Sequence, residues 1–405
     1  MSVKKVSSIH IYPVKSTAGI SVPQAKVEEL GLSFDRRFIV SDPSGQFITA
    51  RTEPRLCLVQ TILMEQGLEL SAPNMSTLTL SYEEFTNQYQ KVTVWGDEVA
   101  GQLCSNAANT WFSDYLQRPC RLLFFGKNSY RERKPNTDNA RKIAFADGYP
   151  LLLISQASLD NLNSRLVDNQ QQSVSMTQFR PNIVINNCLP FAEDSWQHIR
   201  IGDVEFKVSK PCERCIFTTV NAKNGEKHPQ QEPLRTLKSF RKNEGGEVLF
   251  GQNLIALNSG QIHQGDELVI ISQQKPPIFI LPDSTSETQT SPLNTQGDKV
   301  VAKKVNKKVN IFFEKWNKNH QVPFRSKQTN DKTKTLLEHG EDAGLILPYS
   351  CRAGMCGRCK AKLISGEVRQ TSMDGLDGLT EQEKQEGYIL CCSAIATSNV
   401  VIKHE

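Results

Sequence analysis

The 405-residue chain contains no long hydrophobic segment and no marked excess of either charge. No stretch approaches the roughly 20 consecutive apolar residues of a membrane-spanning helix, so we expect no membrane association. The opening segment MSVKKVSSIHIYPVKS lacks the apolar core of a signal peptide, and we therefore expect a cytoplasmic protein. The formal net charge of +5 is mild. Nucleic-acid binding usually requires a concentrated basic face, so we expect no stable nucleic-acid binding.

Common signatures of nucleotide and histidine-metal sites are also missing. The chain has neither a G-x-G-x-x-G fingerprint nor a P-loop. None of its seven histidines stands at metal-ligand spacing from another His or from a Cys. What the chain does have is eleven cysteines. Because disulfides are rare in a reducing compartment, clusters of these cysteines indicate metal binding or catalysis.

Composition separates a strand-rich body from a tail. Short apolar alternations with turn signals predict strands over residues 3–271, and the DPSG segment at Asp42–Gly45 predicts a tight turn. Helical patterns occupy Cys104–Gln117 and Ser155–Val167, and the first serine of the second segment is a suitable N-cap. From Ser272 the chain is rich in Ser, Thr, Gln, Pro and Lys, which predicts a flexible linker.

The tail contains the most specific cysteine pattern. In LPYSCRAGMCGRCKAKL, Cys351, Cys356 and Cys359 have the C-x4-C-x2-C spacing of plant-type 2Fe-2S proteins. A fourth thiolate is available from EGYILCCSA, which contains Cys391 and Cys392. Structural zinc sites prefer C-x2-C pairs, so the pattern favours an iron–sulfur cluster.

The tail as a whole resembles plant-type ferredoxin domains, whose fold is a β-grasp sheet with a helix. The helix is implied for TKTLLEHGEDAG. Gly354 and Gly357 allow backbone N–H groups to turn towards the cluster sulfides. In that family the last ligand stands two positions after the leucine of a G-aromatic-hydrophobic-Leu run. With Leu390 as that leucine, the resemblance implies Cys392 as the ligand and Cys391 as its neighbour.

The body contains one C-x-x-C pair, Cys212 and Cys215, in KPCERCIFTTV. The residues alone allow a redox dithiol, half of a zinc site, one reactive thiolate with a bystander, or two buried cysteines. Four cations fall at the ends of predicted strands, and such cations suit an anionic ligand. They are Lys15, Arg36, Arg180 and Arg214. Ordinary surface positions are the alternative explanation for them.

Four stretches of the body occur together: YPVKS (Tyr12–Ser16), GLSFDRRFIV (Gly31–Val40), DGYPLLLIS with FRPNIVI, and CERCIFTTV with EPLRTLKSFR. In this order they resemble the MOSC family, in particular bacterial YcbX-like proteins and mitochondrial amidoxime-reducing components. The resemblance implies a mainly β fold with α+β elements. Its expected parts are an N-terminal MOSC β-barrel domain (1–122), a MOSC β-barrel domain (123–272), a flexible linker (273–308) and a β-grasp ferredoxin-type domain (309–405).

The resemblance also implies a molybdenum cofactor, a molybdopterin with a phosphate at the end remote from the metal. Cys215 is implied as the molybdenum ligand, with Cys212 as a neighbour. The implied cofactor contacts are Lys15, Ser16, Arg36, Asp147, Gly148, Tyr149, Arg180, Asn182, Glu213 and Arg214. Asp147 is the candidate proton donor or orienting group. We also expect Arg214 to lie close to Cys215 and favour its thiolate.

The implied activity is the reduction of N-hydroxylated compounds, such as hydroxylaminopurine-type base analogues, to amines. Electrons would arrive singly through the 2Fe-2S domain, while the cofactor supplies the redox chemistry. Because no flavin or nicotinamide motif is visible, we expect an external flavoprotein reductase as partner. One alternative is a molybdopterin carrier or sulfur-transfer protein, and a second is a redox sensor.

Overall fold

The computed structural model describes residues 3–133, 141–280, 308–323, 334–343, 345, 347–348, 357–370 and 378–404. The chain divides into two compact units, Met1–Phe279 and Ile280–Glu405. Within the described residues, no helix combines the length and the apolar character that crossing a membrane requires.

The first part of unit one is built mainly from short strands. In chain order its elements are β1 (Lys5–Ile11), β2 (Ile20–Val22), β3 (Gln24–Glu28), β4 (Gly31–Leu32), β5 (Phe38–Ser41), β6 (Gln60–Met64), β7 (Gly67–Ser71), β8 (Leu78–Ser81), β9 (Tyr89–Val94), β10 (Asp97–Leu103), α1 (Asn106–Leu116) and β11 (Arg121–Phe124). One sheet has the order β5-β11-β10-β9 and another the order β6-β7-β8. Their shared core includes Phe38, Leu68 and Phe112, each fully buried.

The second part of unit one continues the strand-rich pattern. Its elements are β12 (Glu132–Arg133), β13 (Arg141–Lys142), β14 (Leu151–Ser155), α2 (Gln156–Asp168), β15 (Ile183–Asn186), β16 (Trp196–Ile201), β17 (Val204–Glu213), α3 (Leu234–Phe240), β18 (Leu249–Ala256), β19 (Gly260–His263) and β20 (Leu268–Gln273).

The main sheet has the order β2-β1-β15-β14-β18-β17-β16-β20. Its last strand returns to its beginning, because the Val6 N–H donates to the Asp266 carbonyl at 2.9 Å and the Leu268 N–H to the Lys4 carbonyl at 2.9 Å. These bonds close the sheet into a barrel. Alternate side chains of the strands fill its interior, including the fully buried Trp196 and Phe206.

The predicted helices and turn of the body are confirmed. Helix α1 lies inside the predicted Cys104–Gln117 segment, and α2 begins directly after Ser155. The Ser155 hydroxyl accepts a hydrogen bond from the Ser158 N–H at 3.1 Å, as an N-cap does. In the predicted turn, the Gly45 N–H donates to the Asp42 carbonyl at 3.1 Å, and the positive φ of 89° at Gly45 suits glycine.

Unit two is a mixed sheet with helices. Its elements are β21 (Lys308–Phe313), β22 (Lys318–Pro323), α4 (Leu336–Asp342), β23 (Lys360–Ser365), β24 (Val368–Gln370), α5 (Glu381–Gln385), β25 (Tyr388–Leu390), β26 (Ala394–Ala396) and β27 (Val400–Lys403). Five strands have the order β22-β21-β27-β23-β25, with β21 and β27 parallel. Buried Leu336 and Leu337 place α4 in the same core as Phe313 and Leu390. This agrees with the helix implied by the ferredoxin resemblance.

The mainly β fold class with α+β elements is therefore confirmed. The exact domain boundaries stay a prediction, and most of the predicted linker lies outside the described residues.

Candidate functional site

Five of the predicted site residues of the body lie in the loops next to four strands. Lys15 and Ser16 follow β1, Asp147 precedes β14, Arg180 precedes β15, and Cys215 follows β17. Three residues of the predicted set have left-handed backbone, with φ of 73° at Ser16, 49° at Arg36 and 58° at Arg180. Non-glycine residues rarely adopt this conformation, and those that do cluster at functional sites.

Cys215 lies at one end of a chain of polar contacts. Its sulfur accepts a hydrogen bond from the Arg51 Nε–H, with Nε and Sγ 3.4 Å apart. Arg51 also donates from Nη2 to Asp147 Oδ2 at 2.8 Å. Asp147 in turn accepts from the Trp95 indole N–H at 2.8 Å and from the Lys15 ammonium. A thiol, a carboxylate and two cations are thus connected directly.

Asp147 is an anion in this arrangement. Burial opposes its ionisation, but Lys15 and Arg51 beside it outweigh that effect and hold the pKa of the carboxyl well below its usual range. Of the two roles predicted for Asp147, this environment favours the orienting role over proton donation.

The ammonium of Lys15 loses its proton more readily than an ordinary lysine. Burial lowers the pKa of its ammonium from 10.5 to about 8, while Asp147 opposes that shift. The side chain is 6% exposed, and it also donates to the Phe145 carbonyl at 2.7 Å. An amine with a pKa near working pH can hold or release a proton, so Lys15 is the better candidate for proton transfer.

A second cluster surrounds the Tyr12 ring. The guanidinium carbons of Arg36 and Arg180 lie 4.4 and 4.1 Å from its centroid. Arg36 donates to Asp35 Oδ2 at 2.6 Å and to Asn182 Oδ1 at 3.0 Å. Arg180 donates to the Thr17 carbonyl at 2.5 Å. Asn182 is fixed by the Leu152 N–H, which donates to its Oδ1 at 3.1 Å.

The charges of this second cluster do not balance. Burial lowers the pKa of Arg180 to about 10, and the neighbouring Arg36 adds to the effect by like-charge repulsion. Asp35 is the carboxylate that pairs with Arg36. Two adjacent guanidinium groups beside one carboxylate fit a bound anion such as a phosphate, which guanidinium groups recognise well.

Phe217 connects the two clusters. Its ring centroid lies 6.0 Å from the guanidinium carbon of Arg51 and 5.4 Å from that of Arg180. A ligand with sulfur-bound metal at one end and phosphate at the other could therefore reach Cys215 and the Arg36–Arg180 pair together. The donor types fit a molybdopterin, because soft thiolate suits a sulfur-bound metal and guanidinium suits phosphate.

Arg214, which we expect close to Cys215, makes its hydrogen bonds to other partners. Arg214 donates from Nη1 to the Cys212 sulfur at 3.0 Å and from Nη2 to the Phe179 carbonyl at 2.8 Å. Its buried Nε–H has no partner among the described residues. The arginine that contacts Cys215 is instead Arg51.

Burial distinguishes Cys212 from a free reactive thiol. It raises the pKa of the Cys212 thiol, although Arg214 opposes the shift. A raised pKa favours the protonated form, which neither attacks nor ligates well. The environment therefore supports the prediction that Cys212 is a neighbour of the site.

Three further predicted residues have contacts of their own. The Gly148 carbonyl accepts from Arg141 Nε at 2.8 Å, and the Arg141 guanidinium stacks 3.6 Å from the Tyr149 ring. Glu213 accepts from the Lys210 ammonium at 3.0 Å. A Cβ added at Gly148 would meet nothing within 4 Å, so the space beside this residue is open. The roles of Gly148, Tyr149 and Glu213 stay predictions.

Four residues of these clusters were not predicted from the sequence: Arg51, Trp95, Tyr12 and Asp35. Tyr12 and Asp35 stand next to motif residues, in YPVKS and DRR, so the motifs could have identified them as site residues. Arg51 and Trp95 have no such signal, because their contacts with Asp147 and Cys215 join distant parts of the chain.

In the tail, the described part of the predicted cluster site is Cys359 and Cys392. The Cys392 N–H donates to the Cys359 sulfur at 3.4 Å, a contact of the type that stabilises cluster thiolates. The Cys391 sulfur instead lies 3.6 Å from His404 Nε2, and burial raises the pKa of its thiol well above the usual range. These contacts support Cys392 over Cys391. Cys351 and Cys356 lie outside the described residues.

Comparison with protein families matches each part of the chain. Residues 3–119 match the MOSC N-terminal beta barrel domain, residues 140–269 the MOSC domain, and residues 324–397 the 2Fe-2S iron-sulfur cluster binding domain.

Individual proteins similar to this chain are consistent with the family matches. Mitochondrial amidoxime-reducing component 1 of Mus musculus is 38% identical over 285 residues, covering 66% of this chain and 82% of the relative. The Homo sapiens protein of the same name is 39% identical over 286 residues, with coverage of 66% and 83%. Mitochondrial amidoxime reducing component 2 of Bos taurus is 37% identical over 246 residues, with coverage of 58% and 72%.

The barrel, the thiol beside buried cations and the ferredoxin-like tail define a metal-dependent oxidoreductase of the MOSC class. The chain belongs to the MOSC family that includes the mitochondrial amidoxime-reducing components, and it carries a 2Fe-2S domain in the same polypeptide. Its cofactors are the molybdenum cofactor and a 2Fe-2S cluster.

Proposed function

We propose that this oxidoreductase reduces N-hydroxylated compounds, including hydroxylaminopurine-type base analogues, to the corresponding amines. The observation that carries the proposal is Cys215, a cysteine held by a buried arginine beside a carboxylate and an amine, on the same chain as a ferredoxin domain. The amidoxime-reducing name of the relatives supports the substrate class.

The residues of the two clusters have separate tasks in this proposal. Arg36 and Arg180 bind the phosphate end of the cofactor. Arg36 is held in place by Asp35 and Asn182, and Arg180 by the Thr17 carbonyl. Cys215 would hold the metal. The bound molybdenum cofactor supplies the two-electron redox chemistry that no amino-acid side chain provides.

Side chains of the protein supply the protons in this proposal. Reduction of an N–OH group to N–H with release of water consumes two electrons and two protons. Lys15, with its pKa lowered to about 8 by burial, holds a proton at Nζ and is oriented by Asp147. Asp147 remains ionised and fixes both Lys15 and Arg51.

Electron supply requires a partner in this account. The 2Fe-2S domain accepts electrons singly, and we propose an external flavoprotein reductase as their source. The reaction proposed for the first unit does not depend on the identity of that reductase. The cytoplasmic location stays a prediction, and the relatives are named as mitochondrial proteins.

The test is the metal content and product yield of the purified protein. We expect about two iron and one molybdenum per chain, and conversion of a hydroxylaminopurine to the aminopurine with a chemical reductant. Cys215→Ser should abolish conversion and leave the iron content unchanged. Cys212→Ser should have a milder effect, because the Cys212 sulfur contacts Arg214 and the Arg51 contact is made by Cys215.

Two results would overturn the proposal. Full conversion by Cys215→Ser would remove Cys215 from the chemistry. Bound molybdopterin that passes readily to an acceptor protein, without conversion of substrate, would favour the molybdopterin carrier or sulfur-transfer function.

A further inference from the structure

We infer that Arg51 is a positioning residue for Cys215: its guanidinium fixes the sulfur and raises the reduction potential of the metal bound there. The inference rests on the proposed function, because it assigns the metal to Cys215. It concerns a residue outside the sequence motifs of the chain and a property that can be measured without turnover.

Three guanidinium nitrogens of Arg51 have separate acceptors. Nε donates to Cys215 Sγ at 3.4 Å, Nη2 to Asp147 Oδ2 at 2.8 Å, and Nη1 to Thr49 Oγ1 at 3.3 Å. Because the guanidinium is planar and rigid, the bonds to Asp147 and Thr49 fix the direction of the Nε–H. That direction is towards the sulfur.

Arg51 also has little freedom to move. The guanidinium carbon lies 4.6 Å from the Trp95 ring centroid, and the residue is 7% exposed. Trp95 is itself held by its indole N–H, which donates to Asp147 Oδ1 at 2.8 Å. Asp147 therefore holds both the arginine and the ring that stacks on it.

The positive charge of Arg51 has an electrostatic effect on the Cys215 sulfur. A charged N–H donor that points at a metal-bound thiolate withdraws electron density from the sulfur, and hydrogen bonds of this kind tune the potentials of metal–thiolate centres. An added positive charge stabilises the reduced metal more than the oxidised metal. Burial strengthens the effect, because little water screens the charge.

Arg51 and Cys215 come from different domains of the first unit. Arg51 belongs to the stretch that matches the MOSC N-terminal domain, and Cys215 to the stretch that matches the MOSC domain. The bond between them crosses the two domains, so the N-terminal domain takes part directly in the environment of the metal ligand.

The experiment uses the full-length protein with both cofactors, in the variants Arg51→Gln and Arg51→Lys. Arg55→Gln is the matched control, since Arg55 is nearby in sequence, contacts the Leu116 carbonyl at 3.2 Å and is half exposed. The readouts are molybdenum and iron per chain, melting temperature, and a redox titration that follows the EPR signal of half-reduced molybdenum.

We expect Arg51→Gln to shift the molybdenum signal to lower potential and to lower kcat by about 10- to 100-fold, as loss of a group that supports a metal ligand commonly does. KM should change little. Arg51→Lys retains the charge without the planar fork, so its potential should lie between those of Arg51→Gln and the native protein. Arg55→Gln should match the native protein.

Two outcomes would overturn the inference. An unchanged molybdenum potential in Arg51→Gln would show that Arg51 does not influence the metal thiolate. Loss of molybdenum from both variants at an unchanged melting temperature would assign Arg51 to cofactor retention instead. If Arg51→Gln shifts the molybdenum potential but the native protein converts no N-hydroxylated substrate, the role of Arg51 is supported and only the proposed function is refuted.

Discussion

At the scale of residues, Lys15 shows how burial and one partner set a charge. Its ammonium lies between the Phe145 carbonyl and the Asp147 carboxylate, and burial lowers its pKa from 10.5 to about 8. In the folded protein the ammonium loses its proton as the pH rises through about 8. The unfolded chain keeps that proton up to the ordinary lysine pKa of 10.5. The contribution of Lys15 to the free energy of unfolding therefore rises as the pH increases from about 8 to 10.5.

This environment predicts the titration of Lys15 in the cofactor-free protein. A 13C-labelled lysine NMR titration should place its midpoint near pH 8. Asp147→Asn should lower that midpoint further, because Asp147 is the group that raises the pKa of Lys15. The exposed Lys223 serves as control. An unchanged Lys15 midpoint in Asp147→Asn would contradict the ion pair.

A second residue-scale prediction separates Cys391 from Cys392. Cys392→Ser should lose the 2Fe-2S absorbance or shift its EPR spectrum, because a ligand adjacent to Cys359 is changed. Cys391→Ser should keep the native cluster spectrum and alter only the packing against His404. The reverse pattern would exchange the assignments of the two cysteines.

At the scale of elements, α3 is attached to the barrel by a buried ion pair. Arg241, directly after α3, donates from Nη1 and Nη2 to the Asp194 carboxylate at 2.7 and 3.0 Å. Gln252 of β18 donates to the same carboxylate at 2.7 Å. Arg241 and Asp194 are each 3% exposed. The buried charge of each side chain is therefore neutralised by the other.

Breaking this pair should therefore destabilise unit one. Asp194→Ala leaves the Arg241 charge buried without its carboxylate, which commonly costs about 3–5 kcal/mol. Urea unfolding of the first unit measures the change. Glu98→Ala is the control, since it removes an exposed pair with Lys91 and should leave the midpoint nearly unchanged. A loss below about 1 kcal/mol in Asp194→Ala would contradict the role of the pair.

Elements differ in how far the sequence could predict them. Helix α2 and its Ser155 cap follow from a local pattern, and the structure confirms them. The closure of the barrel depends on bonds between Lys4–Val6 and Asp266–Leu268. No local pattern encodes that pairing, because the two segments are more than two hundred positions apart in the chain.

The site shows the same limit. Cys215 and Arg180 stand in recognisable motifs, whereas Arg51 contacts Cys215 across 164 positions. Arg214, next to Cys215 in sequence, contacts Cys212 instead. Sequence adjacency does not identify Arg51 as the donor to Cys215, because consecutive side chains of an extended segment point in different directions.

At the scale of the whole molecule, the chain combines two compact units with different chemistry. Unit two has the matched 2Fe-2S domain, and unit one has the matched MOSC domains. The central claim is that electrons from the cluster reach an N-hydroxylated substrate through the centre at Cys215.

The most direct test follows the absorbance of the cluster in stopped flow. Protein with both cofactors is reduced, freed of excess reductant and mixed with a hydroxylaminopurine. We predict that the native cluster reoxidises as the aminopurine forms, whereas the Cys215→Ser cluster stays reduced. Equal reoxidation in the two proteins, or a native cluster that stays reduced, would contradict the account.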